Sequence, residues 1–424
     1  MRTKNDIEMK LAKIMVAGIF AATISLLNVQ RADAQVRDTV VLKVLEENAP
    51  KYFNAPGMPR FSVIGKEQEF YLGIGGYIRG SVSYDFGNPI ESPVYFVTSA
   101  IPMDNPPGNG SLWQMSAASS NIFFNFVALP QTENKVGAYI DFGFADGMNS
   151  YGFSLKAAYL TYRNLTVGYT TSLFTDGAAA AQTIDQQGPN AMTFLFNTVI
   201  DYQVALTKHW KVGIGLEMPS VNATYVMERD AVNQRIPDIP VYVQYGWKEG
   251  KGWLRLSGIM RNMGYYNNIT RSRENEMGLG IKLSSASPIG KRFTLYSQSV
   301  FGKGIASYVQ DLQGLGMDML PLRDGSGAME GVEVVASYLG LQYVISEKLS
   351  ASATFSEVDC FLPDKAKPVP DGTYKKASYF VTNLIYKVSP VLTTGIEYLW
   401  GSRRNTDDTY HHNNRMQMSL RVNF

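Results

Sequence analysis

Residues that commonly carry out catalysis are scarce in this chain. It contains only three histidines and one cysteine, namely His209, His411, His412 and Cys360. A nucleophilic triad needs a histidine placed between a nucleophile and an orienting carboxylate. Asp407 and Asp408 lie close to His411 in sequence, but no Gly-x-Ser-x-Gly elbow accompanies them. The pair His411-His412 has no third ligand nearby for a metal ion. We therefore predict that the protein is not an enzyme and needs no metal and no cofactor.

Charged side chains offer a different chemistry, the attraction of ions, because they recur inside short segments of alternating polar and apolar residues. The basic residues nearest the middle of such segments are Arg79, Lys156, Arg261, Lys282 and Arg415. The acidic residues in similar positions are Asp141, Asp201, Glu217 and Glu397. A ladder of Arg and Lys along a pore lowers the barrier for small anions. The same residues could instead brace a wall by pairing with the carboxylates, and the sequence leaves both roles open. Arg255 and Arg421 lie nearer segment ends, where a vestibule or structural role is expected.

The end of the chain shows the alternation most clearly. In residues 414–424 every second residue is apolar, these being Met416, Met418, Leu420, Val422 and Phe424. A period of two with one apolar and one polar face is typical of a strand that has lipid on one side and water on the other. About sixteen such segments follow one another from Leu72 onward. After the N-terminal region, no apolar run approaches the ~20 residues that a spanning helix needs, which excludes a multispan helical protein.

The links between these segments alternate in length along the chain. The short or tight links 130–134, 207–209, 248–251 and 346–348 follow the long links 87–118, 172–192, 218–237 and 304–330 in that order, and 262–275 also reads as a long link. Short turns at one rim and long loops at the other are typical of an all-β, transmembrane, antiparallel up-and-down β-barrel. An Arg or Lys on the lipid face costs about 2–4 kcal/mol near the bilayer middle, so the charged rows are expected to face the lumen. About sixteen strands leave an aqueous channel.

The regions before the barrel are expected to serve targeting and passage through the periplasm. Residues 1–34 read as a signal peptide, with Lys10 and Lys13 before an apolar run and a small-x-small cleavage site at Ala34. Both Met1 and Met9 fit as its start. Residues 35–70 form a short periplasmic leader to which no function is assigned, and 71–424 form the barrel. The near-neutral mature chain argues against a nucleic-acid partner.

The long link 172–192 is the candidate constriction, because its small, polar residues can fold inward where backbone groups meet water or lumen side chains. Asp176, Thr183 and Asp185 would then face the basic wall and create a transverse field. The alternative is an ordinary surface loop.

Three stretches carry a resemblance to the DcaP-like trimeric outer-membrane porins, which are related to the sixteen-stranded substrate-specific porins. They are Gly-Tyr-Thr-Thr-Ser-Leu-Phe-Thr-Asp at 168–176, Gly-Lys-Gly-Ile-Ala-Ser-Tyr-Val-Gln-Asp-Leu at 302–312, and Tyr-Leu-Trp-Gly-Ser-Arg-Arg-Asn at 398–405 with 414–417. Ser307 stands where the family usually has Arg, and 178–181 lacks the common Pro-containing run. The resemblance implies the outer membrane of a Gram-negative bacterium, contact with its lipid and lipopolysaccharide, an inward-folded third loop and a homotrimer.

These observations predict a porin through which small hydrophilic solutes diffuse passively. The basic ladder and the resemblance favour small anions such as dicarboxylates. The alternative is a non-conducting structural or adhesive outer-membrane barrel. Energy-coupled import is not expected, because transporters of that class use 22 strands and a plug domain.

Overall fold

The computed structural model describes residues 34–104, 110–147 and 150–424. One α-helix, α1 (Ala34–Asn48), precedes a succession of strands. No helix in these ranges is long and apolar enough to cross a membrane. The predicted signal peptide lies outside the described residues, apart from Ala34. The chain divides into two compact units, one that ends at Val44 and one that spans Leu45–Phe424 and contains all the strands described below.

Twenty strands follow the helix within the described ranges. Their bounds are β1 Phe61–Ile64, β2 Phe70–Gly87, β3 Ser111–Ser116, β4 Asn121–Ala128, β5 Val136–Asp146, β6 Ser150–Tyr162, β7 Leu165–Thr171, β8 Phe196–Ala205, β9 Trp210–Glu217, β10 Ile239–Trp247, β11 Gly252–Asn267, β12 Ser272–Ile289, β13 Phe293–Lys303, β14 Met319–Pro321, β15 Met329–Gly331, β16 Glu333–Val344, β17 Leu349–Phe361, β18 Tyr374–Lys387, β19 Leu392–Asn405 and β20 Tyr410–Asn423.

All of these strands except β14 and β15 belong to one antiparallel sheet, which closes into a barrel. Successive strands pair with each other, and β2 pairs with β20 to complete the circle. β3 and β4 together occupy one position in the barrel, because β4 pairs with β2 as far as Tyr77 and β3 pairs with it from Ser81 onward. β14 and β15 form a small separate sheet within a link, and β1 pairs with the beginning of β2. The barrel therefore has sixteen strands, which confirms the predicted fold class.

The two faces of each strand follow the alternation in the sequence. In β20, Met418, Leu420 and Val422 are exposed on the outside, whereas Arg415 and Gln417 are buried inside. Apolar groups face outward because lipid surrounds the barrel, and polar groups face inward because the lumen supplies water and hydrogen-bond partners.

The lengths of the links differ at the two ends of the barrel, as expected. One prediction is wrong, because a link that was expected to be long is short. Residues 262–275 continue the ladder of β11 and β12 as far as Asn267 and Ser272, which leaves a link of only residues 268–271. Cross-strand hydrogen bonds stabilise this extension: the Tyr265 hydroxyl and the Asn267 amide donate to the Glu274 carboxylate at 2.8 and 3.0 Å. These polar residues pair with each other instead of forming an irregular loop.

Candidate functional site

The third long link, residues 172–195 between β7 and β8 and here called L3, lies against the inner wall of the barrel. The Tyr338 hydroxyl of β16 donates to Ala179 O at 3.0 Å, and the Ser352 hydroxyl of β17 donates to Gln182 O at 2.8 Å. Further along L3, the backbone N–H groups of Ile184 and Asp185 each donate to the Glu397 carboxylate of β19 at 2.7 Å. L3 is therefore anchored by side chains that face the lumen.

The predicted constriction residues act mainly as anchors of L3. The Asp185 carboxylate accepts hydrogen bonds from the Tyr379 hydroxyl at 3.0 Å and from backbone N–H groups that include Phe96 N at 2.9 Å. Burial raises the pKa of the Asp185 carboxyl, although these hydrogen bonds oppose the shift. The Thr183 hydroxyl donates to Asp185 O at 2.7 Å, which fixes the turn. Both side chains are buried, so they stabilise the position of L3.

Asp176, near the start of L3, also accepts hydrogen bonds from side chains of the barrel wall. Its carboxylate accepts hydrogen bonds from the Ser284 hydroxyl at 2.6 Å and the Trp253 indole at 3.0 Å. The Arg255 guanidinium lies 3.7 Å away. Burial alone would raise the pKa of the Asp176 carboxyl, but the charges of Arg255 and Lys282, together with the hydrogen bonds from Ser284 and Trp253, outweigh burial and lower the pKa. Asp176 is therefore a charged group whose charge is compensated by Arg255 and Lys282.

Four of the five predicted ladder residues are buried against folded links. The Arg79 guanidinium donates to Ile184 O of L3, and the Lys282 ammonium donates to Phe174 O of L3. Arg415 forms an ion pair with Asp85 of the neighbouring strand β2. Each of these cations is at most 5% exposed. Their positive charge is thus directed into protein contacts.

Arg261 joins two other links to the wall. Its guanidinium lies 3.0 Å from Asp238, in the link 218–238, and 3.0 Å from Asp318, in the link 304–332. It also donates to Ser220 O and Gly304 O, each at 2.7 Å. All three ionised side chains are about 1% exposed or less. The site is therefore a buried ionic network that fixes the two links inside the barrel.

Of the four acidic residues predicted to pair with the ladder, Glu217 and Glu397 accept hydrogen bonds from L3, and Asp141 accepts one from an asparagine. Glu217 accepts from the Ser172 hydroxyl at 2.9 Å and from Leu173 N at 2.7 Å, at the start of L3. Glu397 holds the middle of L3, as described above. Asp141 accepts from the Asn121 amide at 2.9 Å, and one oxygen of Asp201 has no hydrogen-bond partner within the described part of the chain.

The carboxylates that do pair with the ladder are Asp85, Asp238 and Asp318, which the sequence analysis did not single out. Asp85 could have been found, because closure of the barrel between its first and last strands places it opposite Arg415. Asp238 and Asp318 lie in links whose path the alternation of strand residues does not determine.

L3 borders a cavity of about 290 Å³, here called the central cavity, whose strand walls come from β2 and β4 to β8. Lys156, the remaining ladder residue, lines it together with Asp141 and with Gln186 and Gln187 of L3. Aromatic rings supply most of the remaining lining, namely Tyr52, Phe53, Tyr77, Tyr95, Tyr169, Phe194 and Phe196. The lining therefore combines amides, a cation and a carboxylate with flat apolar faces.

A second cavity of about 390 Å³ lies toward the end of the barrel with the short turns and is here called the turn-side cavity. Lys51, Lys211 and Arg255 line it, with Asp176 and Asp201 among the acidic residues. Lys51 and Lys211 are exposed, and neither forms an ion pair with any residue that the structure describes. Two uncommitted cations therefore lie at this mouth.

Comparison with known proteins agrees with this architecture. The family described as DcaP outer membrane protein matches residues 62–300, more than half of the chain. The chain belongs to the DcaP outer membrane protein family. Membership confirms the recognised resemblance and places the protein in the outer membrane of a Gram-negative bacterium. Proteins of the DcaP family are outer-membrane channels or porins, so this chain is assigned to that class.

Solved structures of porins share the fold of this DcaP family member. The outer membrane channel DcaP of Acinetobacter baumannii is similar with a TM-score of 0.72 and 18% identity, over 85% of this chain and 99% of that chain. OmpT of Vibrio cholerae gives a TM-score of 0.52 at 11% identity, over 85% and 100%. The anion-selective porin of Comamonas acidovorans gives 0.53 at 12% identity, over 84% and 100%. No curated protein sequence matches the chain.

The chemistry of the described residues offers little for a metal ion. No group of three or more His, Cys, Asp or Glu side chains within 34–104, 110–147 and 150–424 is arranged to hold one. Cys360 is buried in the apolar cluster that also contains Tyr374 and Ala377. The two cavities are lined by amides, aromatic rings and charged groups.

Proposed function

We propose that the protein conducts small hydrophilic solutes across the outer membrane by passive diffusion. The observation that supports this most directly is the arrangement of L3, which is hydrogen-bonded to β16, β17 and β19 and leaves the central cavity beside the opposite wall. A loop held in this way narrows a barrel without filling it. Solutes would then move down their gradient and be filtered by the width of the passage and by its charges.

A preference for small anions such as dicarboxylates is the finer part of the proposal. Lys156, Lys51 and Lys211 form no ion pair within the described residues, and each lines one of the two cavities. By contrast, Asp141 and Asp176 already accept hydrogen bonds from neighbouring side chains. Cations that keep their charge available to water lower the barrier for an anion. The anion selectivity of the Comamonas acidovorans porin is in line with this proposal.

Homotrimer formation is the proposed assembly, as in the DcaP-like trimeric porins. The outside of β3 and β6 presents large apolar side chains, and Trp113, Met115, Tyr151 and Phe153 are each more than 60% exposed. β3 pairs only with β2 among the described strands. A neighbouring copy or the lipid and lipopolysaccharide of the membrane would cover this face. Chemical cross-linking in native outer membranes distinguishes a trimer from a monomer.

Planar-bilayer recording of the refolded protein tests the proposed function. Discrete conductance steps with an anion-leaning reversal potential under a salt gradient are expected. Lys156→Glu and Lys211→Glu should each move the reversal potential toward cations, whereas Lys367→Glu should not. Lys367 is the matched control because it is an exposed lysine in the link 362–373 and pairs with Asp364. A protein that folds but shows no conductance steps would overturn the proposed channel function and favour a structural or adhesive barrel. Conductance steps whose reversal potential is unchanged by Lys156→Glu and by Lys211→Glu would overturn only the anion preference.

A further inference from the structure

The chain between α1 and β1 contacts the inside of the barrel. Residues 49–57 are here called the inner segment. At its start, the Asn48 amide donates to the Asn125 side chain of β4 at 2.7 Å, and the Tyr159 hydroxyl of β6 donates to Asn48 O at 2.7 Å. Near its end, the Arg421 guanidinium of β20 donates to Pro56 O at 2.8 Å. The segment is therefore fixed at both ends by residues that face the lumen.

The middle of the inner segment is bonded directly to L3. Phe53 N donates to Gly177 O at 2.8 Å, and the Asn54 amide donates to Asp185 O at 3.1 Å. These two bonds join the inner segment to both halves of L3. Because each bond involves the L3 backbone, the inner segment adds to the wall contacts that hold L3 in place.

Aromatic packing reinforces the contact. The ring of Tyr52 meets Phe194 edge-on, with 5.6 Å between centroids, and Phe196 at 6.0 Å. The ring of Phe53 also meets Phe194, at 6.4 Å. Edge-to-face pairs at such distances stabilise a contact beyond the burial of the rings alone.

Two glycines of L3 leave room for these rings. A Cβ placed on Gly188 would lie 2.5 Å from the ring of Phe53, and a Cβ on Gly177 would lie 2.7 Å from the Cβ of Tyr52. Gly188 also has a φ of +73°, which any residue with a side chain rarely adopts. The sequence of L3 therefore accommodates the inner segment at two separate points.

The position of these rings gives them a role in conduction. Tyr52 and Phe53 line the central cavity together with Lys156 and with Gln187 of L3. We propose that the inner segment is the second half of the constriction, and that Tyr52 and Phe53 set the width of the passage together with L3. This inference rests on the proposed channel function. It assigns a specificity role to a region that the sequence analysis treated as a leader without function.

A solute in the central cavity would therefore pass between L3 and the inner segment on one side and Lys156 with the strand wall on the other. An aromatic side chain contributes roughly 150–250 Å² of surface, so removal of two of them widens the passage substantially. Selectivity for size would depend on the inner segment, whereas selectivity for charge would depend on Lys156.

The double variant Tyr52→Ala/Phe53→Ala of the full-length protein tests whether these two rings set the width of the passage. We expect its single-channel conductance to rise about twofold or more, and solutes excluded by the wild type to enter proteoliposomes, because ion flux increases with the cross-section of the narrowest point. Phe61→Ala is the matched control, since Phe61 is a 59% exposed aromatic residue in the adjoining strand β1 and does not line the cavity. Unchanged conductance in a folded double variant would overturn the proposal.

A cysteine-protection experiment locates the inner segment independently of conduction. Phe53→Cys in a Cys360→Ala background should resist a maleimide attached to a polymer too wide for the barrel. Lys66→Cys, in the exposed turn between β1 and β2, should react readily. Equal reactivity at the two positions would show that the inner segment lies outside the lumen and would overturn the inference even where the double variant does not fold. A silent wild type would instead overturn the channel itself, whatever the labelling shows.

Discussion

Arg261 allows a quantitative test of the idea that buried cations hold the long links inside the barrel. Arg261→Met keeps the length and apolar stem of the side chain but removes its charge. The variant leaves the carboxylates of Asp238 and Asp318 buried without their cation, and also frees Ser220 O and Gly304 O. Removal of one partner from a buried ion pair costs about 3–5 kcal/mol. Since two carboxylates lose their partner here, we expect the free energy of unfolding to fall by an amount at the upper end of that range.

Urea-dependent refolding into lipid vesicles, followed by the heat-dependent shift in gel mobility, measures this free energy. Arg404→Met is the matched control, because Arg404 lies 3.8 Å from Asp408 in an exposed pair. Exposed pairs contribute at most about 1 kcal/mol, so this variant should unfold almost like the wild type. The comparison separates the buried network from the general loss of an arginine.

The triple variant Arg261→Met/Asp238→Asn/Asp318→Asn identifies the cause of the loss. It should recover roughly half or more of the lost free energy, since the penalty arises from uncompensated charge and not from the missing guanidinium. The reasoning is refuted if Arg261→Met costs no more than Arg404→Met. It is also refuted if the triple variant is less stable than the single one.

Three further predictions concern contacts that position the constriction. Glu397→Gln should increase open-channel noise, because a neutral amide with a single acceptor oxygen replaces the charged hydrogen bonds, worth about 1.5–3 kcal/mol each, that hold Ile184 N and Asp185 N; traces of the variant as quiet as those of the wild type would contradict this. Asp85→Asn should lower the free energy of unfolding by about 3–5 kcal/mol, because it leaves Arg415 buried without its anion at the seam between β2 and β20; the vesicle refolding assay checks it. Gly188→Ala should destabilise the fold by about 1 kcal/mol or more, because its φ is positive and its Cβ would lie 2.5 Å from the Phe53 ring; the vesicle refolding assay measures this loss, and an unchanged free energy of unfolding would contradict it.

The alternation of side chains was sufficient to predict the barrel. In β20, each residue from Arg415 to Val422 faces the side that its polarity indicates, since lipid and water select opposite groups at every second position. The same rule failed at residues 262–275, where the polar composition suggested an irregular loop. There Tyr265 and Asn267 donate hydrogen bonds to Glu274 across the strands, so the polar side chains are paired although the segment has no apolar face toward lipid.

The interior could be predicted only in part, because its contacts join residues that are distant in sequence. Arg79 donates to Ile184 O across 105 positions, and Phe53 contacts Gly188 only after the barrel has closed. Period-two analysis identifies which side chains face inward, but it carries no information about the path of the links. The partners Asp238 and Asp318 and the inner segment were missed for this reason.

The structure divides the inward cations into two groups with different expected roles. A cation that a folded link reaches, such as Arg79 or Lys282, exchanges its hydration for carbonyl and hydroxyl oxygens and loses contact with water. A cation that lines a cavity and forms no ion pair with a described residue, such as Lys156 or Lys211, is expected to keep its charge available to a passing ion. Charge reversal in the first group should therefore change stability more than reversal potential. Charge reversal in the second should change reversal potential while the barrel remains folded, and the opposite pattern would show that charge-based selection occurs at the buried ladder.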